Sequence, residues 1–285
     1  MRFIMNYFNV NNYLEMRESL HKESKNFEEI EINISRKCNR TCSICPHSNV
    51  EYQKFLNNFN DLFMDKLIFK RIVDEISNIK DFSFNIDIIG SGEPTLHPNF
   101  LEFIEYILKK TTNYIRITTN GDKLLKDFDF RKKLYNLIEN QNVILNISVY
   151  DSKQVEKYTG LKTLENVVIK DMFLDKSINL KDKHINNRAG SVDNSYITRV
   201  NKTTCNYPFY ALYVDIDGDI QYCPHDWEKR LVFANIKDMS LLKAWSIETK
   251  HRSLMLAHKR SEIYPCYKCS VDGCKIGNKK RKMFE

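Results

Sequence analysis

Three cysteines stand close together at Cys38, Cys42 and Cys45, separated by three and then two residues. Structural zinc takes four protein ligands, so three thiolates suit a site that keeps one position open. A 4Fe–4S cluster is normally held by four thiolates, and with three of them one iron is left free for a small molecule. The plainer readings are a zinc site completed by His47, or loop cysteines without metal. No cysteine lies between Cys45 and Cys205, and then five follow: Cys205, Cys223, Cys266, Cys269 and Cys274. A hairpin at Asp217-Gly218 would bring Cys205 and Cys223 together, and Cys266-x2-Cys269 supplies two more thiolates. Four such ligands hold either zinc or a second 4Fe–4S cluster. Cys274 is the spare thiol, and in its Asp-Gly-Cys turn it reads as a packed thiol or a substitute ligand. Two groups so far apart imply two sites on two structural units.

The chain that carries these thiols has 285 residues and a formal charge of +7, with 42% apolar and 12% aromatic side chains. That composition excludes a disordered chain, a collagen-like repeat and a coiled coil. At this length a core is buried without disulfide staples. No run of 18 apolar residues is present, so no membrane span is expected. The stretch Met1–Val10 lacks a signal-peptide core and cleavage site, which points to the cytoplasm. Thiols stay reduced there, so eight cysteines suggest metal or redox chemistry. Lys275, Lys279, Lys280, Arg281 and Lys282 form a basic tail that reads first as solvated surface.

The elements that must position the thiols follow from hydrophobic period. Residues 9–26 are polar and helical in flavour, with Leu14, Met16 and Leu20 on a partial stripe. Residues 29–35 alternate strictly and predict a strand that feeds the cysteine loop at 36–49. A helix is predicted over 61–79, capped by Asp61, with Leu62, Leu67, Ile68, Ile72, Val73 and Ile76 at helical spacing. Further strands are expected at 82–90, 114–119 and 143–149, and helices at 99–110 and 128–140, with weaker signals through 163–185. Such alternation argues for a parallel α/β sheet or barrel. Active sites in these folds gather where loops leave the C-terminal ends of strands. The cysteine loop, the Gly90-Ser-Gly-Glu-Pro94 turn, Asn120-Gly121 and 148–151 all lie at such ends. After about residue 200, short strands at 210–216 and 219–222 flank Asp217-Gly218, and a helix is expected around 239–257.

The CxxxCxxC loop after the first strand, with a Gly-Ser-Gly-Glu-Pro turn after the second, resembles the radical S-adenosylmethionine (SAM) superfamily. The resemblance covers roughly residues 28–190. It implies a partial (β/α)6 barrel in which Cys38, Cys42 and Cys45 bind a 4Fe–4S cluster whose fourth iron chelates SAM. The turn Gly90, Ser91, Gly92 and Glu93 would line the methionine end of SAM. Two departures are visible. Ile44 stands where an aromatic residue is common, so the adenine contact would be aliphatic or backbone, and Ser91 replaces a glycine. Asn120, Ser148 and Arg188 are candidates for the SAM ribose and carboxylate by position, although each also suits a turn or cap. His97 reads as structural.

With that barrel upstream, the second group looks like the SPASM/twitch extension, a small hairpin-plus-helix unit. Its shorter form implies one auxiliary 4Fe–4S cluster on Cys205, Cys223, Cys266 and Cys269. The resemblance also offers a third role for Cys274, as a hydrogen-atom donor of the kind found in radical SAM epimerases. His225, Asp226 and Trp227 would face the substrate. The implied organisation is a helical segment at 1–28, a barrel at 29–195 and an extension at 196–285.

The expected activity is generation of a 5′-deoxyadenosyl radical that takes hydrogen from a carbohydrate-like small molecule (sugar, aminocyclitol or sugar nucleotide). Dehydrogenation would use the auxiliary cluster as electron acceptor, and epimerisation would use Cys274. The second reading is maturation of a ribosomal peptide, against which stand the only 37 residues before Cys38. The third is a non-enzymatic zinc or nucleic-acid-binding protein, which leaves the first cysteine group and the glycine turn unexplained. A flavodoxin- or ferredoxin-type reductant is expected as partner, with no membrane and no nucleic acid.

Overall fold

A computed structural model describes residues 26–172, 186–192 and 204–271. The helix expected at 9–26, the later part of the weak signals at 163–185, Cys274 and the basic tail lie outside the described residues.

Five parallel strands run β1 (Glu29–Ile32), β2 (Asn85–Ile88), β3 (Ile115–Thr119), β4 (Val143–Val149) and β5 (Val167–Asp171). They lie in the order β5-β4-β3-β2-β1. This is the partial-barrel α/β architecture that the strand and helix alternation implied. A sixth parallel strand, β6 (Ala211–Val214), pairs with β1 from Glu29↔Ala211 to Ile32↔Val214. It comes from the cysteine-rich extension. Its hairpin partner β7 (Asp219–Gln221) and a short β8 (Ala234–Asn235) continue the sheet antiparallel. The extension therefore shares one sheet with the barrel and covers the edge that β1 would otherwise expose.

Alternation sends Ile30, Ile32, Ile86, Ile88, Ile115 and Ile117 toward the helices, where all are buried. The opposite face of the same strands is charged. Arg116 there is ion-paired with Asp87 and, at 3.5 Å, with Glu29. The helix α2 (Lys66–Asn78) buries Phe69, Ile72, Val73 and Ile76, and α3 (Phe100–Lys110) buries Phe100, Phe103, Ile104 and Ile107. These helical-period stripes meet where Phe69 and Phe103 stack with centroids 3.9 Å apart, a contact worth about 0.5–1.5 kcal/mol beyond its buried area. The helix α5 (Phe128–Ile138) adds Phe130, Leu134 and Ile138.

The helix expected from residue 61 starts at Lys66, because Asp65 rather than Asp61 accepts the Leu67 amide at 2.7 Å. Asp61 instead accepts from the Phe63 amide in a turn. Leu67 accordingly points to solvent, 76% exposed, and Leu62 packs with a separate cluster around Trp227. Directly after the cysteine loop stands a helix that the apolar period did not announce, α1 (Val50–Leu56), capped by Asn49. The helix expected at 239–257 is two: α7 (Leu241–Trp245) and α8 (Lys250–Leu256). Arg252 takes the carbonyls of Trp245 and Ile247, and Thr249 restarts the helix by accepting from the Arg252 amide. Two short helices, α4 (Asp122–Lys126) and α6 (Val155–Thr159), sit in loops at the C-terminal ends of β3 and β4. No helix of the described residues is long and apolar enough to cross a membrane.

Candidate active site

The cysteine loop leaves β1 at the C-terminal edge of the barrel and is fastened on three sides. First, buried Arg36 forks onto Asp215 at the end of β6 and donates to the Trp227 carbonyl at 2.8 Å. Asn33 donates to the same Asp215 at 2.7 Å and to the Ser91 hydroxyl at 2.7 Å. Second, the Glu93 amide donates to the Lys37 carbonyl at 2.8 Å. A Cβ on Gly92 would run into the backbone of Ser35, Arg36 and Lys37, so the close approach needs glycine. Third, Asp122 accepts from Arg40 Nε at 2.9 Å, Asn39 at 2.7 Å and the Tyr158 hydroxyl at 2.7 Å. Gly121 makes that corner possible with φ +74°, where a Cβ would strike Ile147 and Tyr158.

Cys38, Cys42 and Cys45 converge on the wall of an open cleft. Ile44, His47, Gly90, Ser91, Gly92, Glu93 and Asn120 share that wall, with Tyr150, Met172, Arg188 and Trp227 opposite or beside them. Burial pushes Cys38 up to about 12 and Cys42 to about 11, and raises Cys45 as well. A metal must therefore displace protons from these thiols on binding.

The glycine turn meets the cleft in a particular way. Glu93 is buried, and its carboxylate accepts from Thr95 Oγ1 at 2.6 Å, the Thr95 amide at 3.1 Å, Thr119 Oγ1 at 2.5 Å and the Asn120 amide at 2.7 Å. Burial raises its pKa while those donors oppose the shift. Glu93 thus ties the β2 turn to the end of β3. The Ser91 hydroxyl is fully buried and used by Asn33, and the Ser91 carbonyl lies 2.6 Å from His47 Nε2. That contact engages one of the two ring nitrogens of His47. Asn120 reaches the cleft, but its side chain donates to Asn39 and accepts from the Asp122 amide. Ser148 is buried and does not line the cleft. Arg188 does line it, stacked over Trp227 at 5.5 Å. His97 is structural, its ring nitrogens engaged with the Met64 carbonyl and the Asn99 amide.

Cys205, Cys223, Cys266 and Cys269 are all buried and line a second, small cavity together with Tyr207, His251 of α8 and the CxxC turn. Burial raises Cys223 and Cys266 far above the ordinary thiol value, with the neighbouring thiols adding to it. His225, His251 and Arg260 border this cavity. Burial, with Arg252 and Arg260 adding, pushes His251 down to about 4. All seven described cysteines are free thiols. Among the described residues, the one group of three or more His, Cys, Asp or Glu donors gathered within 4.8 Å is Glu29, Glu31 and Asp87.

The two sites are joined by Arg188 and Ala189, consecutive residues at φ 45° and 52°. Arg188 faces the cleft and Ala189 the second cavity. Asn187 holds this strained segment to the CxxC turn by bonding the Lys268 carbonyl and Ser270. Arg188 Nη1 lies 3.0 Å from His225 Nδ1. Of the trio at 225–227, Trp227 reaches the cleft, His225 borders the second cavity, and Asp226 is turned inward to accept the Leu231 amide. Burial raises the Asp226 carboxyl to about 6. Arg36, Arg40, Asp122 and Asp215, which fix the cysteine loop, carry no motif that sequence alone exposes. The one hint was an arginine two residues before Cys38.

An α/β barrel with three thiols at an open cleft and four around a second cavity is the arrangement of an iron–sulfur enzyme. Residues 32–172 match the profile of the radical SAM superfamily, and residues 205–270 match SPASM, an iron–sulfur cluster-binding domain. The chain belongs to the radical SAM superfamily and carries a C-terminal SPASM domain. Its cofactors are SAM, a SAM-binding 4Fe–4S cluster and an auxiliary cluster. It is 27% identical over 255 residues to the S-adenosyl-L-methionine-dependent 2-deoxy-scyllo-inosamine dehydrogenase of Niallia circulans, covering 86% of this chain and 94% of that one. A probable GTP 3′,8-cyclase of Saccharolobus islandicus is 23% identical over 141 residues, 50% of this chain and 41% of that one. In fold, the chain is similar to BtrN in complex with AdoMet and 2-DOIA, with TM-score 0.69 and 24% identity over 86% of this chain and 94% of that one.

Proposed function

We propose that this enzyme dehydrogenates a secondary alcohol on a carbohydrate-like ring of the aminocyclitol class. The observation that carries the reading is the second four-thiol cavity, joined to the cleft by the Arg188–His225 contact. Similarity to a 2-deoxy-scyllo-inosamine dehydrogenase over nearly the whole of that relative supports the substrate class. In this reading Cys38, Cys42 and Cys45 hold the SAM-binding cluster, and Cys205, Cys223, Cys266 and Cys269 hold the auxiliary one.

When bound, the first cluster supplies one electron that cleaves SAM, and the auxiliary cluster takes up one electron from the substrate. The balance is an alcohol carbon that gives a hydrogen atom to the deoxyadenosyl fragment, an electron to the auxiliary site and its hydroxyl proton to a base or water. The chain's own residues orient these partners. Gly90–Glu93 would hold the methionine end of SAM, and Ile44, which lines the same cleft, would offer its adenine an aliphatic contact. Trp227 and Tyr150 would wall the substrate space, and Arg188 would bring positive charge into it, favouring loss of a hydroxyl proton. A flavodoxin- or ferredoxin-type reductant in the cytoplasm completes the cycle.

The test incubates anaerobically reconstituted enzyme, holding about eight irons per chain, with SAM, reductant and a panel of cyclitols and aminocyclitols. A product lighter by two hydrogens, formed one-for-one with 5′-deoxyadenosine, is the expected result. Cys38→Ala, Cys42→Ala and Cys45→Ala each abolish deoxyadenosine formation. A product of unchanged hydrogen count that carries solvent deuterium at one carbon overturns dehydrogenation in favour of epimerisation, and Cys274→Ala would then stall turnover.

A further inference from the structure

Among the polar side chains that line the auxiliary cavity, His251 makes a contact of its own with a sulfur. His251 sits on α8 with its Nε2 3.7 Å from the Cys266 sulfur, an ordinary distance for an N–H···S contact. Its other nitrogen, Nδ1, is buried and has no hydrogen-bond partner among the described residues. A proton on Nδ1 would be stranded, whereas a proton on Nε2 faces a sulfur, so the ring's N–H belongs at Nε2. The ring is also held still. Thr249 caps its helix, and the neighbouring Arg252 is anchored by the carbonyls of Pro208, Trp245 and Ile247.

Two further donors lie near these sulfurs. Arg260 spends its guanidinium on the carbonyls of Cys266, Cys269 and Val271, which fixes the CxxC turn rather than a sulfur. The Val271 amide lies 3.4 Å from the Cys269 sulfur. His251 is thus a side-chain donor at Cys266, as the Val271 amide is a backbone donor at Cys269.

We propose that His251 is a positioning residue for the auxiliary cluster, donating Nε2–H to the Cys266 sulfur and so raising the cluster's reduction potential toward acceptance of the substrate electron. This rests on Cys266 being a cluster ligand. A hydrogen bond to a ligating sulfur stabilises the more negative, reduced state, so donors to sulfur raise the potential. An acceptor for a substrate-derived electron gains from that direction of tuning.

The test uses purified, cluster-loaded wild type, His251→Gln and His251→Leu, with iron analysis followed by EPR-monitored potentiometric titration. Gln keeps an N–H donor and Leu fills the space without one. The auxiliary cluster of His251→Leu is expected to be about tenfold harder to reduce, a shift of about 59 mV for a one-electron couple. His251→Gln stays close to wild type, and the SAM-binding cluster, the internal reference, does not move in either variant. Equal auxiliary potentials in wild type and His251→Leu overturn the proposal, as does an equal shift in both variants. If His251→Leu fails to hold iron, pulsed EPR on reduced wild type labelled with 15N-histidine decides. A weak nitrogen coupling lost in His251→Gln supports the contact, and its absence from wild type or persistence in the variant overturns it. Cys266→Ala separates the two layers. Full iron in that variant removes the ligand assignment itself, whereas loss of about four irons leaves that assignment intact and confines any failure to the role of His251.

Discussion

Arg36 shows how a residue remote from the chemistry governs it. Its side chain is wholly buried beside an equally buried Asp215, and the pair anchors the cysteine loop to the extension. Asp215→Asn leaves a guanidinium uncompensated in the interior, which costs about 3–5 kcal/mol. Urea unfolding of the iron-loaded variant should show that loss, and a change below about 1 kcal/mol would mean that the remaining partners, Tyr52 and the Trp227 carbonyl, suffice. Gly92 makes a sharper point. A methyl there meets backbone rather than a mobile side chain, so Gly92→Ala must push the turn away from Lys37. SAM affinity, read by equilibrium binding to the reconstituted enzyme, should fall at least tenfold while the auxiliary cluster's iron stays in place. Unchanged affinity would show that the turn does not set the cofactor's position.

At the scale of elements, the hairpin is the part whose placement matters most. Its strand β6 covers β1 along four registered pairs, and Asp215 at its end takes Arg36 and Asn33 from the cysteine loop. A chain truncated after residue 195 would therefore expose the β1 edge and leave Arg36 without its carboxylate. Such a fragment is expected to aggregate on expression, and a soluble fragment that still binds SAM with native affinity would contradict this. The alternating residues of 29–35, the helical stripes of α2 and α3 and the Asp217-Gly218 turn were legible because local period and turn chemistry dictate them. The first cysteine group and the Cys266–Cys269 pair were legible because their spacing is local in sequence. That β6 joins β1 was not legible, since pairing across some 180 residues leaves no local pattern. For the same reason Arg36–Asp215 and Arg40–Asp122 stayed hidden, and Ser148 looked like a cleft residue only because it ends a strand. The break between α7 and α8 depends on Arg252 capturing carbonyls, which the apolar spacing of 239–257 does not encode.

For the whole molecule, buried thiols couple metal loading to stability. An unfolded thiol ionises near 9.0, while burial holds Cys38 near 12 and Cys42 near 11 and raises Cys45, Cys223 and Cys266. Without iron, the folded chain keeps protons that the unfolded chain sheds above about pH 9. A raised folded-state value stabilises below the unfolded value and loses that contribution as pH climbs toward the folded one. The iron-free protein should therefore melt at progressively lower temperature from pH 8 to pH 10.5. The loaded enzyme, with its ligands already ionised by metal, has no such term from these thiols, so the gap between the two melting temperatures should widen over that window. Proton release on reconstitution follows from the same linkage, and cluster assembly should go further toward completion at pH 8.5 than at pH 6.5. Parallel melting curves for loaded and iron-free protein from pH 8 to pH 10.5 would mean that these thiols do not hold the iron. The seven sulfurs would then be a feature of the core rather than of two clusters.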